Sequence, residues 1–167
     1  LGLKSKREVF SLMAKAKAGE DFDVAYTLED MAADVIGLMD ALNIATAHVA
    51  GISMGGAIVQ VLAAGHGNRL RSMASIMAQS GNPDTPLGSP EAMAALMRAG
   101  ADEDSREGAI AANVETSRIL TSPKYPTSDA DRRAMAERSY DRCHCPDGRV
   151  RQRAAIIESG DRRPLLR

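Results

Sequence analysis

The hexapeptide Gly51-Ile52-Ser53-Met54-Gly55-Gly56 sets a serine two places from a glycine on either side. A serine so flanked reads as a nucleophile elbow, a residue held on a sharp turn between a strand and a helix. To present its hydroxyl, Ser53 must adopt strained backbone angles, and side chains two residues away would crowd the turn. Gly51 and Gly55 are expected to supply that room, and Gly56 to let the helix pack closely on the sheet. The Met54 N–H, at the helix N-terminus, is placed to bind a developing oxyanion. The bland alternative is a glycine-rich strand–helix turn in which Ser53 is an ordinary small residue.

The flanks discriminate, because an elbow needs a strand before it and a helix after it. Ala47-His48-Val49-Ala50 is a short apolar run that reads as a buried parallel strand. Residues 57–64 are apolar nearly all round, as suits a helix buried against a sheet, with Gly65 as its C-cap. Upstream, Thr27 opens the clearest helix, with Asp30 three residues on as a weaker form of capping box. Leu28, Met31, Val35, Leu38 and Leu42 repeat at three- and four-residue steps, Ala32, Ile36 and Met39 widen the stripe, and Asn43 is a left-handed stop. After the turn cluster 65–69, residues 70–77 read as a second strand. The order helix, strand, helix, strand implies an α/β fold with a parallel sheet and right-handed crossovers.

The second half of residues 1–18 carries a helical period through Val9, Leu12, Met13 and Ala16. The apolar face is small, which favours a surface helix of a globular domain over a basic membrane-surface helix. Residues 19–25 are acidic and loop-like. Beyond the break at 79–84 the chain is helical and polar. Ser89-Pro90-Glu91 starts one helix, continued over 92–99. Others are predicted over 105–120, 128–142 and 149–159, the last preceded by a Pro146-Asp147-Gly148 turn and ended at Gly160. No strand pattern follows Ser80. The predicted organisation is an α/β core with the elbow over 1–84 and a helical lid over 85–167, whose Met and Leu content would give an apolar pocket.

With 167 residues, 44% hydrophobic and 26% charged, the chain has the balance of a globular domain with a real core. A net charge of −1 points to neither nucleic acid nor an anionic membrane surface. Aromatics are 3%, and nine Met are expected to take over part of their gap-filling. No apolar run is long enough to span a membrane and no signal peptide is visible, so a cytoplasmic protein is expected. Cys143-His144-Cys145 is too compact for a secreted disulfide framework. A zinc site would need a second pair of ligands, so packing is the favoured role and neither a metal nor a cofactor is expected.

A strand, the elbow, a buried helix, a second strand and a helical excursion together resemble the α/β-hydrolase fold family. The wording of residues 26–34, 47–56, 65–70, 80–83 and 156–162 resembles most the aclacinomycin-methylesterase-like bacterial hydrolases. The resemblance covers nearly the whole chain and is strongest around the elbow. It implies a serine hydrolase acting on carboxylic esters, a methyl ester on a polyketide among them. Ser53 would be the nucleophile and the Met54 N–H one oxyanion donor, with the structural glycines Gly51, Gly55 and Gly56. It also implies further strands before the first helix, a loop there donating a second oxyanion N–H, and a catalytic Asp and His after the lid. With Leu1 at the front and Pro164-Leu165-Leu166-Arg167 at the end, the chain is expected to be the middle of a longer hydrolase, and inactive or nearly so by itself.

A serine is a weak nucleophile until an oriented base takes its proton. His48 lies five residues before Ser53 on the same strand, roughly 16 Å away. His66 lies roughly 18–20 Å along the following helix. Neither reaches. His144 belongs to the lid and is expected to pack there, because the familial base arrives after the last strand. Asp84 follows the second strand, where some α/β-hydrolases place their acid, but a Pro83-Asp84 turn residue is favoured. The expected partner is a small-molecule ester, with no nucleic acid and no membrane. Two other readings stay open: a non-catalytic chain whose sheet edges pair with another chain or a second copy, as a homo-oligomer, and acyl transfer or cofactor-free peroxidation on the same fold.

Overall fold

The computed structural model describes residues 11–12, 14–16, 18–20, 22–86, 88–98 and 105–167. Val9, Met13 and Ala99 of the sequence reading lie outside them. The described residues within 11–18 are helical, and Leu12 among them is buried. The chain packs as two units, Leu1–Thr85 with Val150–Arg167, and Pro86–Arg149.

In the first unit, α1 spans Leu28–Ala41, β1 Ala47–Ile52, α2 Met54–His66 and β2 Leu70–Ile76, with a 3-10 turn at Gly67–Arg69. Helix α1 starts where its sequence says it must. The Thr27 hydroxyl accepts the Asp30 N–H at 3.1 Å, and the Asp30 carboxylate accepts the Thr27 N–H at 2.8 Å, so the capping box is complete. It stops at Asn43, which takes φ 55°. The Ile44 N–H reaches back to the Met39 carbonyl at 2.8 Å and the Asn43 N–H to Asp40 at 3.0 Å, satisfying carbonyls the helix end would orphan.

The buried stripe of α1 runs through Leu28, Ala32 and Met39, with Met31, Val35 and Ile36 packed beside it. Leu38 and Leu42, expected on that stripe, are instead 61% and 59% exposed. At 3.6 residues per turn Leu38 sits well round from the 28–32–39 line, and Leu42 already belongs to the stop. Helix α2 runs straight through Gly65 rather than ending there, because Gly65 keeps a helical backbone and the chain tightens into the 3-10 turn two residues later.

Strands β1 and β2 pair in parallel, from His48 opposite Ser72 to Ile52 opposite Ile76, with α2 as the crossover. The expectation of a buried β1 does not hold: Gly51 is its one buried residue, while His48, Ala50 and Ile52 are exposed. Among the described residues the sheet has two strands. Val49 faces the core, and the alternate residues face away from it. That core gathers Leu28, Ala32, Ala57, Val61 and Leu62 around Ala155. Residues 150–167, grouped in the sequence reading with the helical region, therefore pack with the sheet and its helices.

The second unit is built from α3 (Pro90–Arg98), α4 (Arg106–Leu120) and α5 (Asp129–Arg142), followed by the start of α6 (Pro146–Glu158). Ser89, Ser105 and Ser128 each accept an N–H three residues on, at 3.1–3.2 Å, as N-caps. Pro146-Asp147-Gly148 is the first turn of α6 rather than a separate turn, since a first-position proline gives up an N–H that would be unpaired anyway. Helices α4 and α5 are tied by two-pronged pairs: Arg106 with Asp141 at 2.8 and 2.7 Å, and Arg133 with Glu107 at 2.8 and 2.7 Å. The buried Arg132 Nη1 donates to the Ser117 carbonyl at 2.8 Å and to the Thr121 hydroxyl at 2.7 Å, closing the end of α4.

Candidate active site

Ser53 is the single residue between β1 and α2, and its backbone is at φ 56° and ψ −120°. A positive φ on a residue with a Cβ costs on the order of 1–3 kcal/mol and persists only where the surroundings impose it. They do so from two sides. The Ser53 N–H donates to the Ile76 carbonyl at 2.8 Å, prolonging the parallel ladder by one rung. The Ser53 carbonyl accepts the Gly56 and Ala57 N–H groups at 2.9 and 3.2 Å, starting α2. Met77, just after β2, also has a positive φ, 51°.

Serine at a helix N-cap ordinarily turns its hydroxyl inward to cap an N–H. Ser53 occupies that position without making such a bond, and the residue is exposed. Among the described residues no carbonyl accepts the Met54 N–H, one of the donors that a helix start leaves over.

The glycines differ from one another. A Cβ on Gly51 would run into the Gly55 carbonyl and come within 2.7 Å of the Gly56 nitrogen. One on Gly56 would stand 2.6 Å from the Ala78 Cβ and 3.0 Å from the Ser75 Oγ. Gly55, expected to give the same relief, has nothing within 4 Å of that position. The Gly55 peptide is itself what crowds Gly51.

Sequence reasoning missed the polar support beneath this turn. The Ser75 hydroxyl donates to the Gly56 carbonyl at 3.2 Å, and Gln60 Nε2 donates to the Ser75 Oγ at 3.0 Å. The signal was present, since Gln60 is the lone polar residue of the apolar run 57–64 and is buried at 7% exposure. Ile76 and Met77 carried no such signal.

The remaining candidates are dispersed. His48 Nδ1 is 2.7 Å from the Ser72 Oγ on the neighbouring strand. His66 ends α2. In the second unit His144 stacks on Tyr140, ring centres 4.3 Å apart, with its Nδ1 3.5 Å from Arg149. Asp84 lies in a turn, its N–H donating to the Asn82 side chain at 2.9 Å. Cys143 and Cys145 are exposed free thiols. Among the described residues no group of three metal-ligating side chains comes together, and no helix is long and apolar enough to cross a membrane.

A cavity of about 460 Å³ lies in the first unit against Met54, between Tyr26, Met31, Asp34 and Ile58. A second, of about 410 Å³, runs along β1 past Val49 and Gly51. Ser53 lines neither.

A parallel strand pair crossed by a helix, with a strained serine at the turn, is the arrangement the sequence resemblance implies. A family model described as the alpha/beta hydrolase fold matches residues 10–140. On that match, which covers most of its length, the chain belongs to the α/β-hydrolase fold family.

Proposed function

We propose that this chain carries the nucleophile of a serine hydrolase acting on carboxylic esters, and that Ser53 is that nucleophile. The family is one of hydrolase-type folds. The observation that carries the reading is the Ser53 backbone at φ 56°, combined with a hydroxyl that forgoes its capping bond. Such strain needs a use, and an outward, unengaged hydroxyl is one.

In the proposed reaction the Ser53 Oγ attacks the ester carbonyl carbon while a base takes its proton. The carbonyl oxygen becomes an oxyanion, and the Met54 N–H is one of its donors. Collapse of the tetrahedral intermediate expels the alcohol, which leaves with the proton held by the base. Water then attacks the acyl-enzyme, releasing the carboxylic acid and restoring the Ser53 hydroxyl. His48 has no part as the base, because five strand residues separate it from Ser53 by roughly 16 Å. His66 stands roughly 18–20 Å away along α2.

A fluorophosphonate probe tests the reading on the full-length protein. Covalent labelling that Ser53→Ala abolishes, in a variant that still folds, is the expected result. Labelling that survives Ser53→Ala, or its absence in folded wild-type protein, would overturn the assignment.

A further inference from the structure

Arg162 is a buried cation with no ion pair within 4 Å among the described residues. It is 7% exposed, and none of its described hydrogen-bond partners is a carboxylate. Burial lowers the affinity of its guanidinium for the proton, against the pull of Glu29 and Asp161. A charge held this way is expensive unless its donors are satisfied. Here Nη2 donates to the Gln79 carbonyl at 2.6 Å, Nη1 to the Ser159 hydroxyl at 2.7 Å, and Nε to Gln60 Oε1 at 3.4 Å.

The bonds continue in one direction. Arg162 donates to Gln60, Gln60 to Ser75 at 3.0 Å, and Ser75 to the Gly56 carbonyl at 3.2 Å. Hydrogen bonds aligned head to tail polarise one another, so the row links the guanidinium to the first turn of α2 as one cooperative chain.

Two backbone contacts hold the arginine to its task. The Arg162 N–H donates to the Ser80 carbonyl at 2.7 Å. Gly81, at φ 80°, presses against Gly160 so closely that a Cβ would overlap the Gly160 carbonyl group. Segment 159–162 is thus clamped to the loop after β2. The guanidinium grips that loop at Gln79 and reaches α2 through Gln60. Ser53 is held between the end of β2, three residues before Gln79, through Ile76, and the start of α2, through Gly56 and Ala57.

We propose that Arg162 is a positioning residue for the Ser53 turn, setting the separation of the β2 end and the α2 start that the left-handed Ser53 backbone and the Met54 N–H require. The role rests on the reading of Ser53 as nucleophile, but its structural half stands apart from catalysis. Lysine would not substitute, since a single ammonium lacks the fork that engages Gln79, Ser159 and Gln60 together.

The test compares wild-type full-length protein with Arg162→Ala and Arg162→Lys. Amide hydrogen exchange is followed in peptides covering 51–60, with 129–142 as a reference, and fluorophosphonate labelling rates are measured alongside. Both variants are expected to exchange about tenfold faster over 51–60 and at the wild-type rate over 129–142. Labelling of Arg162→Ala should fall about tenfold and recover in dilute guanidinium but not in equimolar urea, which fits the same hole without the charge. Unchanged exchange over 51–60, an equal rise in both segments, or global unfolding of both variants would overturn the proposal. If Arg162→Ala alone unfolds, the exchange pattern of Arg162→Lys decides. Wild-type protein that fails to label refutes the Ser53 reading, and exchange then decides on Arg162 by itself.

Discussion

Gly51 and Gly55 are symmetric about Ser53 in the sequence and unlike in space. A methyl on Gly51 meets the backbone of the facing helix turn, which cannot give way as a flexible side chain would. Gly51→Ala is therefore expected to cost about 2–3 kcal/mol or to prevent folding. Gly55→Ala enters open space inside a helix, where alanine outperforms glycine by about 1 kcal/mol. Urea unfolding of the two variants should separate them in sign. Glu158 makes a prediction about pH. Partial desolvation, with Glu29 and Asp30 nearby, raises its carboxyl above the ordinary value. The folded protein then holds that proton more tightly than the unfolded chain, so stability falls as pH rises from about 4 through the raised value. Glu158→Gln should melt higher than wild type at about pH 7, with the difference closing below about pH 4.

At the scale of elements, local chemistry explains where helices start and stop. Thr27→Ala removes one half of the α1 capping box and is expected to cost about 1 kcal/mol in thermal or urea unfolding. The body of α2 depends on packing instead. Leu62 is fully buried in the core, and Leu62→Ala should cost about 2–5 kcal/mol, depending on how far its neighbours collapse. Helices α4 and α5 show a third regime. Hydrogen bonds from Arg133, Arg118 and Arg106 hold the carboxyls of Glu107, Asp129 and Asp141, respectively, below their ordinary values. A lowered carboxyl stabilises the fold above the ordinary carboxylate range and loses that contribution as pH drops through the lowered value. These pairs are exposed, so salt should weaken them. Titration of the three side-chain carboxyls by carbon-13 NMR should give low midpoints that return towards ordinary values in about 1 M salt.

Across the whole molecule, the first unit assembles from segments far apart in sequence, with Ala155 closing a core begun by Leu28 and Arg162 reaching Gln60. Its sheet is covered on one side. On the other, Ile52 is 58% exposed and faces Ile76, 43% exposed, with the exposed pair Ala50 and Ala74 next to them along the strands. An apolar strip of this kind binds hydrophobic dyes. Replacing Ile52 and Ile76 by Ser should reduce the fluorescence of a bound naphthalene sulfonate dye. Unfolding free energy should fall by only about 1 kcal/mol per site, because roughly half of each side chain is in water already.

What the sequence by itself determined is the local grammar. Thr27, Ser89, Ser105 and Ser128 begin helices and Asn43 ends one, because a cap satisfies N–H or carbonyl groups within four residues. The strand–turn–helix around Ser53 was legible for the same reason: its glycine spacing lies within six consecutive residues, although the contacts that impose the Ser53 backbone include Ile76 on the next strand. What only the tertiary structure decided is which faces are covered. Leu38 and Leu42 carry the right period and lie open, and β1 reads as buried and is exposed on one side, because burial depends on what arrives from elsewhere in the chain. Arg162 shows the same limit most clearly. In sequence it is one arginine in a charged run, and its place beneath the Ser53 turn exists only once Gly81 and Gly160, 79 places apart, have come into contact.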